Sequence, residues 1–415
     1  MVYRCNAYVM PSNLLIVTGS ETYAFDMGIA ASRFTDVAVV RWTSVGQFEG
    51  SLFELFFITG GQVRKISSVK LPLRIRNKPE WFVSRVPLFV LNTWLMFSFA
   101  IKARRLLGKS NTRVSALGIG WGGGLITLFL KKLGLLDSFA YYRVDWFTGR
   151  PRHFYDSLIV NAYFRSIDRI LSRTSNYVWN ITEEVRAAAN RTHMFLNRKE
   201  IVVRPPISRL GSYPDLPRTA DPYIVYCGEV KPGCGLPLIL SAISALLKQN
   251  NTMKLKILGR ARIDYLASLQ QEFRDVFDKG VCEYLGGFDM VNDGDKERIN
   301  QIIAGAYAGV AIFPSGSSNT SNYVIPNRIL LYLANHTPVI INSDAAAASW
   351  LCSAGVAVGT STGPENIAKN VLMLRDSLEY RSWLRSNIGP FMENMGNEAE
   401  SAKALGTLTG ELAVD

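Results

Sequence analysis

Short apolar runs alternate with longer amphipathic stretches along most of the chain. The runs at 13–19 (NLLIVTG), 37–40 and 223–226 are β-type, and polar or glycine-rich turns separate them from stretches with helical spacing. Strands that alternate with helices are typical of doubly wound α/β domains, in which helices cover a mostly parallel sheet. The pattern therefore predicts α/β architecture.

The alternation is interrupted once. A stretch rich in Pro, Gly and Ser begins at Pro205-Pro206 and continues to Pro222. At 415 residues the chain is also too long for one ordinary core. We predict an N-terminal domain over 1–206, a linker over 207–222 and a C-terminal domain over 223–388. The tail over 389–415 is predicted to be helical and to pack back on the N-terminal domain.

Residues 310–342 form the most informative stretch of the second domain. Two apolar runs, 310–313 and 338–341, enclose a polar Gly/Ser/Asn loop and a helical segment that starts at Asn327. A βαβ unit of this kind brings its loop to the mouth of a parallel sheet. Asn327 and Arg328 lie at the helix N-terminus, where backbone N–H groups and the helix dipole favour an anion. We predict that a nucleotide's diphosphate binds here.

A second informative pattern covers 113–145. A strand at 114–117 leads into Gly118, Gly120 and Gly123, which match G-x-G-x-x-G, and a strand at 139–144 leads to Asp145. This arrangement is typical of NAD-binding domains, whose acidic residue binds the ribose. Two other predicted strands precede it, however, and such glycines also occur where a helix packs close to a sheet. NAD binding therefore stays an alternative.

Asp145 has a second interpretation. It follows a strand in YYRVDW, a position that opens onto the crevice of an open α/β sheet. Neighbouring aromatic rings that exclude water raise the pKa of a carboxyl group, which suits a general base. We favour this role over an ion pair with Arg143 or Arg150. The loop at Gly19 and Ser20 is predicted to face the same cleft, although a tight strand-to-helix turn explains Gly19 equally well.

Composition and charge narrow the range of partners. The chain is 48% hydrophobic and 19% charged, as in a globular protein, and its net charge of +12 favours phosphates, anionic lipid or nucleic acid. Nucleic-acid binding is not predicted, because no zinc-finger, RRM or basic heptad pattern accompanies the charge. Five scattered cysteines suit a reducing cytoplasm, and three separated histidines argue against a local metal site. The triplet that starts at Asp293 is interpreted as a helix cap rather than a metal site.

The N-terminal half contains a basic region followed by an apolar run. Residues 64–85 carry seven cations interleaved with leucines and aromatic residues, and 86–101 contains no charge. With 16 residues the apolar run is shorter than the roughly 20 that cross a bilayer. It is either a core helix or a helix that docks on an anionic membrane, with Trp/Phe and Arg/Lys at the interface. Both interpretations stay open.

Taken in order, these elements resemble the GT-B glycosyltransferases of the large group 1 type. The likeness is strongest over 223–342, in YIVYCGEVKPGCGLPLILSAI, LKILGR, YLGGF, AYAGVAIFPS and PNRILLYLANHTPVI. In the first half, YYRVDW and DRILSRTSNYVWNITEEV resemble membrane-associated inverting members such as the xanthan-type glucuronosyltransferase. The resemblance implies the GT-B fold, an α/β fold of two Rossmann-like doubly wound domains facing a central cleft.

The resemblance also implies an activity. A sugar would move from a nucleotide sugar, with a UDP-sugar favoured, to an acceptor hydroxyl, without a cofactor or metal. Asp145 would be the catalytic base of an inverting reaction. A saccharide or lipid-linked acceptor is implied, and the basic region suits peripheral association with the inner face of the cell membrane, in polysaccharide or glycolipid synthesis. The implied donor-binding residues are Arg328, Asn327, Lys231, Ser315, Gly228, Glu229, Gly287 and Arg260.

The chain departs from the family pattern in two places. Glu229 and Cys234 stand where the family often has Arg and Lys, and Lys231 is a candidate replacement for one of these cations. The family's E-x7-E pair falls on Tyr323 and Leu331, so the glutamate that usually holds the donor ribose is absent. A sugar-nucleotide epimerase of the same architecture, an NAD-binding oxidoreductase and a non-catalytic binding module therefore stay as alternatives.

Overall fold

The computed structural model describes residues 13–44, 51–71, 94–95, 97–102, 104–105, 113–144, 154–193, 200–204, 222–288, 293–314, 325–395 and 397–410. The described residues form two compact units. The first unit contains the described residues up to 144, those between 154 and 204, and 397–410; the second contains those between 222 and 395. The predicted linker falls almost entirely outside the described residues, which resume at Pro222.

The first unit is an eight-stranded sheet with helices. Its strands are β1 (Asn13–Ser20), β2 (Asp36–Ser44), β3 (Ser51–Thr59), β4 (Gln62–Leu71), β5 (Arg113–Ile119), β6 (Ser138–Arg143), β7 (Tyr177–Asn180) and β8 (Glu200–Val202). Its helices include α1 (Glu21–Ala31), α2 (Gly120–Lys132), α3 (Phe154–Thr174) and α4 (Glu183–His193). The strand order is β4-β3-β2-β1-β5-β6-β7-β8, so the order reverses between β1 and β5. A reversal of this kind is the topological switch point at which open α/β sheets bind ligands.

The hairpin β3–β4 is an element that the sequence analysis does not predict. Its two strands pair antiparallel and extend an otherwise parallel sheet. Gly60 and Gly61, both with positive φ, form the turn, and a glycine pair between two β-type runs is a recognised hairpin signal. Arg64 and Lys65, assigned from sequence to a basic membrane-facing region, lie on β4, where Lys65 Nζ is 2.5 Å from Glu54 Oε1.

Helix α3 is amphipathic and extends over 21 residues to Thr174. The strand that follows it, β7, begins at Tyr177.

The G-x-G-x-x-G pattern has a packing role in the structure. Helix α2 begins at Gly120 directly after β5, with no intervening loop. A Cβ atom on Gly123 would lie 2.3 Å from the carbonyl oxygen of Thr18 on β1, and the Thr18 hydroxyl donates a hydrogen bond to the Gly123 carbonyl oxygen at 3.0 Å. The glycines let α2 approach the sheet closely, as in the alternative explanation considered from sequence.

The second unit is a wholly parallel six-stranded sheet. Its strands are β9 (Tyr223–Cys227), β10 (Lys254–Leu258), β11 (Cys282–Tyr284), β12 (Gly309–Ala311), β13 (Val339–Asn342) and β14 (Ala357–Thr360). Its helices are α5 (Leu236–Lys248), α6 (Ile263–Glu272), α7 (Arg274–Asp278), α8 (Asp293–Ala304), α9 (Asn327–Ala334), α10 (Ala348–Ser353), α11 (Pro364–Asp376) and α12 (Leu378–Asn394). The strand order is β11-β10-β9-β12-β13-β14, which places the switch point between β9 and β12.

Both faces of this sheet are buried. Ile224 and Tyr226 pack into one apolar core, and Tyr223, Val225 and Cys227 pack into the core on the opposite face. Neighbouring residues of a strand point to opposite faces, so a continuous apolar run is what a strand covered by helices on both sides requires. The continuous apolar run of β9 therefore reflects a sheet that is covered by helices on both faces.

The last described helix, α13 (Asn397–Thr409), belongs to the first unit. The Ser115 hydroxyl of β5 donates to the carbonyl oxygen of Leu408 at 2.9 Å, and the Ser401 hydroxyl donates to that of Arg204 at 2.8 Å. The tail predicted over 389–415 is thus divided, because 389–394 complete α12 of the second unit and α13 packs on the first.

Residues 94–105 are helical wherever the structure describes them. Phe99 and Ala100 are buried in the core of the first unit, whereas 63% of the Trp94 surface is exposed. The described part of the apolar run 86–101 is therefore a helix with one face in the core. Residues 86–93 lie outside the described residues. No described helix combines the length and apolarity that a transmembrane span requires.

Candidate functional site

Three strand ends of the second unit meet through glycine backbone. Gly228 follows β9, Gly259 follows β10, and Gly286 and Gly287 follow β11. The Gly259 N–H donates to the Gly286 carbonyl oxygen at 2.8 Å, and a Cβ atom on Gly259 would lie 2.0 Å from the carbonyl oxygen of Gly228. No side chain fits between these strand ends, so they present backbone to the mouth of the sheet, where α/β proteins bind ligands.

Arg328 reaches this mouth from the first turn of α9. Its guanidinium carbon lies 4.9 Å from the centre of the Tyr226 ring and 5.4 Å from the centre of the Phe313 ring. A Cβ atom on Gly228 would lie 2.8 Å from Arg328 Nη2, so glycine is what allows this approach. Because Tyr226 is on β9 and Phe313 follows β12, the guanidinium lies at the switch point of the sheet.

No carboxylate among the described residues forms an ion pair with Arg328. Its Nη1 is fully buried and has no hydrogen-bond partner among the described residues. Burial raises the pKa of Tyr226 and of Cys227 to about 12, although Arg328 acts in the opposite direction, so both groups are neutral at physiological pH. Burial lowers the pKa of Arg328 itself and its tyrosine neighbours raise it, with a net increase, so the guanidinium stays protonated.

A buried cation without an anionic partner is unfavourable, because neutral neighbours such as Tyr226 and Phe313 replace only part of its lost hydration. A ligand phosphate would offset that loss with charge-assisted hydrogen bonds, and a guanidinium is well shaped to form two of them. The N-cap residue of α9, Pro326, makes no side-chain capping bond. The N-terminal dipole of an eight-residue helix therefore adds to the anion-binding potential at this point.

Tyr332 fixes α9 against the switch point. Its hydroxyl accepts a hydrogen bond from the Cys227 N–H at 2.7 Å and donates to the Val310 carbonyl oxygen at 3.3 Å. The buried ring lies over Gly309, where a Cβ atom would be 2.3 Å from it. One side chain of α9 thus joins β9 to β12 and orients the helix that carries Arg328.

Lys231 and Glu229 form an ion pair in the loop after β9. The Lys231 Nζ lies 2.5 Å from Glu229 Oε2, and both side chains are about half exposed. Exposed pairs of this kind contribute little free energy, typically about 0–1 kcal/mol. An incoming anion can therefore compete with Glu229 for the lysine.

The other predicted donor-binding residues are spread around the same strand ends. Asn327 begins α9 and is exposed. Arg260 follows β10; its carbonyl oxygen accepts the Val230 N–H at 2.8 Å, and its side chain packs beside Gly287, where a Cβ atom would lie 2.6 Å from Arg260 Cγ. Ser315 lies outside the described residues.

Asp145, the predicted catalytic base, also lies outside the described residues, which end at Val144 just after β6. The neighbouring Arg143 is described and is fully buried. Its guanidinium donates to both oxygens of Asp168, at 2.9 and 3.0 Å, and to the Ser172 hydroxyl at 2.6 Å. Arg143 therefore has a carboxylate partner in Asp168, which weakens the sequence-based alternative that Arg143 pairs with Asp145.

Asp168 is the centre of this buried network. Its Oδ1 accepts from the Tyr141 hydroxyl at 2.7 Å, and Nε2 of His193 lies 2.7 Å from its Oδ2. Burial alone would raise the pKa of Asp168, but Arg143, His193 and Tyr141 together lower it to about 2. Nearby Glu200 has a raised pKa because of burial. This network supports the strand end that leads to Asp145.

The loop residues predicted on the acceptor side have a structural explanation. Gly19 is near the end of β1, and a Cβ atom there would lie 2.8 Å from the Ile119 Cβ on β5. Ser20 is the last residue of β1. Gly19 is therefore required by the close approach of β1 and β5. The two strands flank the switch point of the first sheet.

Tyr226, Phe313 and Tyr332 are functional candidates that the sequence analysis does not identify. They surround and orient Arg328, yet they are far apart in the sequence: Phe313 follows Tyr226 by 87 residues, and Tyr332 follows Phe313 by 19. The available signal is modest: each aromatic residue lies on or beside a strand or helix that meets the switch point. No group of three or more potential metal ligands occurs among the described residues.

Comparison with known proteins identifies the fold. No protein-family profile matches the sequence, and no curated protein sequence matches it. Among solved structures, the chain is similar to sucrose-phosphate synthase from Thermosynechococcus elongatus, with a TM-score of 0.66 and 13% identity over 96% of this chain and 98% of that one.

Two other similar structures contain ligands. One is an E. coli trehalose-6-phosphate structure bound with UDP-2-fluoro glucose, with a TM-score of 0.64, 10% identity and coverage of 96% and 99%. The other is Anabaena Alr3699/HepE with UDP and glucose, with a TM-score of 0.62, 10% identity and coverage of 96% and 100%. The chain therefore has the GT-B fold, and the fold predicted from the sequence is confirmed.

Proposed function

We propose that this protein is a glycosyltransferase that moves a sugar from a UDP-sugar to an acceptor hydroxyl. The observation that carries the proposal is Nη1 of Arg328 at the switch point of the second sheet, which is buried and has no hydrogen-bond partner among the described residues. Similar structures of the same fold contain UDP or a UDP-sugar, which supports this choice of donor. The class of enzyme would be a hexosyltransferase.

Arg328 would bind the donor diphosphate and stabilise the charge that develops on it as the glycosidic bond breaks. Preorganised donors in a site that excludes water are effective for this purpose. The N-terminus of α9 and Lys231 would add positive potential, and Asn327, Arg260, Gly228, Glu229, Gly287 and Ser315 would line the donor. Two cations and a helix terminus would offset the diphosphate charge without a metal ion.

Asp145 would accept the proton of the acceptor hydroxyl as that oxygen attacks the anomeric carbon. Attack opposite the departing diphosphate inverts the anomeric configuration. Support for this role is its sequence position, next to Val144 just beyond the end of β6. The buried network around Asp168 and Arg143 would hold that strand end in place.

The biological setting we propose is polysaccharide or glycolipid synthesis at the cytoplasmic face of a membrane, with a saccharide or lipid-linked acceptor. The net charge of +12 favours an anionic surface. Peripheral association would bring the first unit close to a lipid-linked acceptor.

Calorimetry with UDP, followed by transfer assays with a panel of UDP-sugars, tests the donor assignment. Arg328→Ala should weaken UDP binding at least tenfold, as expected for loss of about 1.4 kcal/mol or more from a charge-assisted contact. Arg274→Ala is the matched control, because Arg274 is exposed on α7 and pairs with Asp278. Equal UDP affinity in the two variants would contradict the phosphate site.

Three further measurements separate the alternatives. Asp145→Asn should abolish transfer while UDP affinity is retained, and full transfer activity in that variant would exclude Asp145 as the base. If the protein instead converts the UDP-sugar to an isomeric sugar nucleotide in the absence of an acceptor, it is an epimerase. Tight NAD binding, measured by calorimetry, would support the oxidoreductase alternative.

A further inference from the structure

We propose that an exposed aromatic and basic face of the first unit docks on an anionic phospholipid bilayer. The face consists of Trp94, Phe97, Phe129, Leu133, Arg105 and Lys132, and we call it the docking face. The inference rests on the proposed membrane association and specifies its residues. Its test measures lipid binding and therefore reports separately from donor binding.

The apolar part of the docking face is continuous. The ring centres of Trp94 and Phe97 are 6.2 Å apart, and those of Phe97 and Phe129 are 6.4 Å apart. Leu133 follows Phe129 by one helical turn, and its N–H donates to the Phe129 carbonyl oxygen at 3.0 Å. The helical segment 94–105 and the C-terminal end of α2 thus contribute to one surface.

Three of these apolar side chains are strongly exposed for their size, whereas Phe97 is partly buried against the core. Trp94 is 63% exposed, Leu133 59% and Phe129 50%. Isolated exposed apolar residues are common, but large ones in mutual contact mark an interaction surface. The opposite face of the same segments packs into the core of the first unit, where Phe99, Ala100, Ile126 and Leu130 are buried. The surface therefore projects from a folded core.

The charge around this surface is positive. Lys132 and Arg105 are exposed, and Arg105 follows Trp94 by about three helical turns, on the same side of the segment. Arg104 Nε donates to the Leu135 carbonyl oxygen at 3.3 Å, which ties the segment to the turn after α2. The sequence contains no Asp or Glu between Glu80 and Asp137, and the Asp137 carboxylate accepts the Val114 N–H at 2.7 Å.

An anionic bilayer fits this combination better than a protein partner does. Trp, Phe and Leu enter the boundary between headgroups and acyl chains, while flanking Lys and Arg bind the lipid phosphates and extend their charged ends towards water. A protein interface of comparable apolarity is usually depleted in lysine. The docking face thus combines an apolar centre with a cationic border, which is the arrangement of interfacial anchors.

The test is co-sedimentation of the whole protein with vesicles. We expect binding to vesicles of phosphatidylglycerol and phosphatidylcholine, little binding to phosphatidylcholine alone, and loss of binding as salt is raised. Lys132→Glu should weaken the partition coefficient by at least about fivefold, the effect of one cation near an anionic surface. Leu133→Ser and Trp94→Ala should each weaken it by a similar or larger factor.

Ile263→Ser is the matched control for Leu133→Ser, because Ile263 is an aliphatic side chain of the second unit that is 77% exposed. It should leave vesicle binding unchanged. UDP affinity and melting temperature should stay the same in Leu133→Ser, so a folding defect is distinguished from loss of docking. Equal binding to neutral vesicles, or equal effects of Leu133→Ser and Ile263→Ser, would overturn the proposal. A change of oligomeric state in Leu133→Ser, without a change in lipid binding, would assign the face to a protein contact.

Discussion

In the part of the chain that the structure describes, Arg328 contacts two aromatic rings and a glycine, and no carboxylate pairs with it. This arrangement leaves its charge available for a ligand. It also means that the guanidinium contributes little net stability to the ligand-free protein, because cation–π contacts are offset by the loss of hydration. The affinity for an anion and the stability of the fold are therefore separable at this residue.

Replacement of Arg328 tests this separation. In Arg328→Ala we expect the free energy of unfolding of the ligand-free protein to change by no more than about 1 kcal/mol, since the lost ring contacts and the relieved desolvation oppose each other. UDP affinity should fall as described above. Urea denaturation with and without UDP measures both quantities. A large loss of stability without UDP would show that Arg328 has a structural partner.

Gly228→Ala tests the close approach that the guanidinium makes to the backbone. The new methyl would lie 2.8 Å from Arg328 Nη2 at a backbone φ of 153°, so the guanidinium must shift. We expect a stability loss of about 1 kcal/mol and a clear loss of UDP affinity. Gly280→Ala is the control: its φ is 66°, a methyl there would meet open space, and it should lose similar stability but no UDP affinity. If Gly228→Ala and Gly280→Ala bind UDP with equal affinity, the close approach of Arg328 to Gly228 does not contribute to UDP binding.

Asp168 gives the first unit a dependence on acid pH. Its pKa is lowered to about 2 in the folded protein, against an ordinary value of 3.8. The stabilisation is therefore complete above about pH 4 and is lost as the pH falls towards 2, by about 2 kcal/mol in total. In Asp168→Asn the stability of the first unit should be lower at pH 7 and should change less between pH 4 and pH 2. Chemical denaturation at several pH values measures this slope, and an unchanged slope would contradict the assignment.

At the scale of elements, Tyr332 shows how a helix is attached to two strands. Tyr332→Phe keeps the ring over Gly309 but leaves the buried Cys227 N–H without its 2.7 Å partner. An unsatisfied buried donor costs about 1–3 kcal/mol. We expect that loss in urea denaturation. Tyr380→Phe, at a half-buried ring on α12, should change stability by less than about 0.5 kcal/mol. If Tyr332→Phe leaves the free energy of unfolding unchanged, α9 is held by packing alone.

The sequence pattern predicts most strands and helices because the period of apolar residues reflects burial directly. Runs such as 223–226 are apolar at every position, since both faces of the second sheet are covered. The hairpin β3–β4 is missed because its second strand is rich in cations, which conceals the alternation, although Gly60 and Gly61 mark its turn. The glycines before α2 match a dinucleotide motif because close helix–sheet packing needs the same residue.

The candidate site is less predictable than the fold. Arg328 is identifiable from sequence, because the start of a helix after a strand and a polar loop favours anions. Its aromatic neighbours Tyr226 and Phe313 are not, because only the sheet order brings β9 and β12 together. The roles of Asp145 and Ser315 stay predictions, because both residues lie outside the described part of the chain.

At the scale of the molecule, the first unit is built from segments that precede and follow the second unit in the sequence. Leu408 of α13 is fully buried against the first unit, and its carbonyl oxygen accepts the Ser115 hydroxyl. Leu408→Ala should lower the stability of the first unit by about 2–5 kcal/mol. Leu374→Ala, a buried position of α11, should have the same effect on the second unit. Calorimetry with UDP distinguishes unfolding of the first unit from unfolding of the second, because UDP should raise the melting temperature of the second unit only.

The return of α13 to the first unit has a consequence for synthesis on the ribosome. The described residues of the second unit lie between 222 and 395, so its core can close before α13 of the first unit has been synthesised. The first unit begins earlier but finishes later, because the strands β5 and β6 wait for α13 to cover Ser115 and Ser138. During that interval the nascent first unit exposes apolar surface. It is therefore the half of the protein that we expect chaperones to bind, and the half in which early termination of translation does most harm.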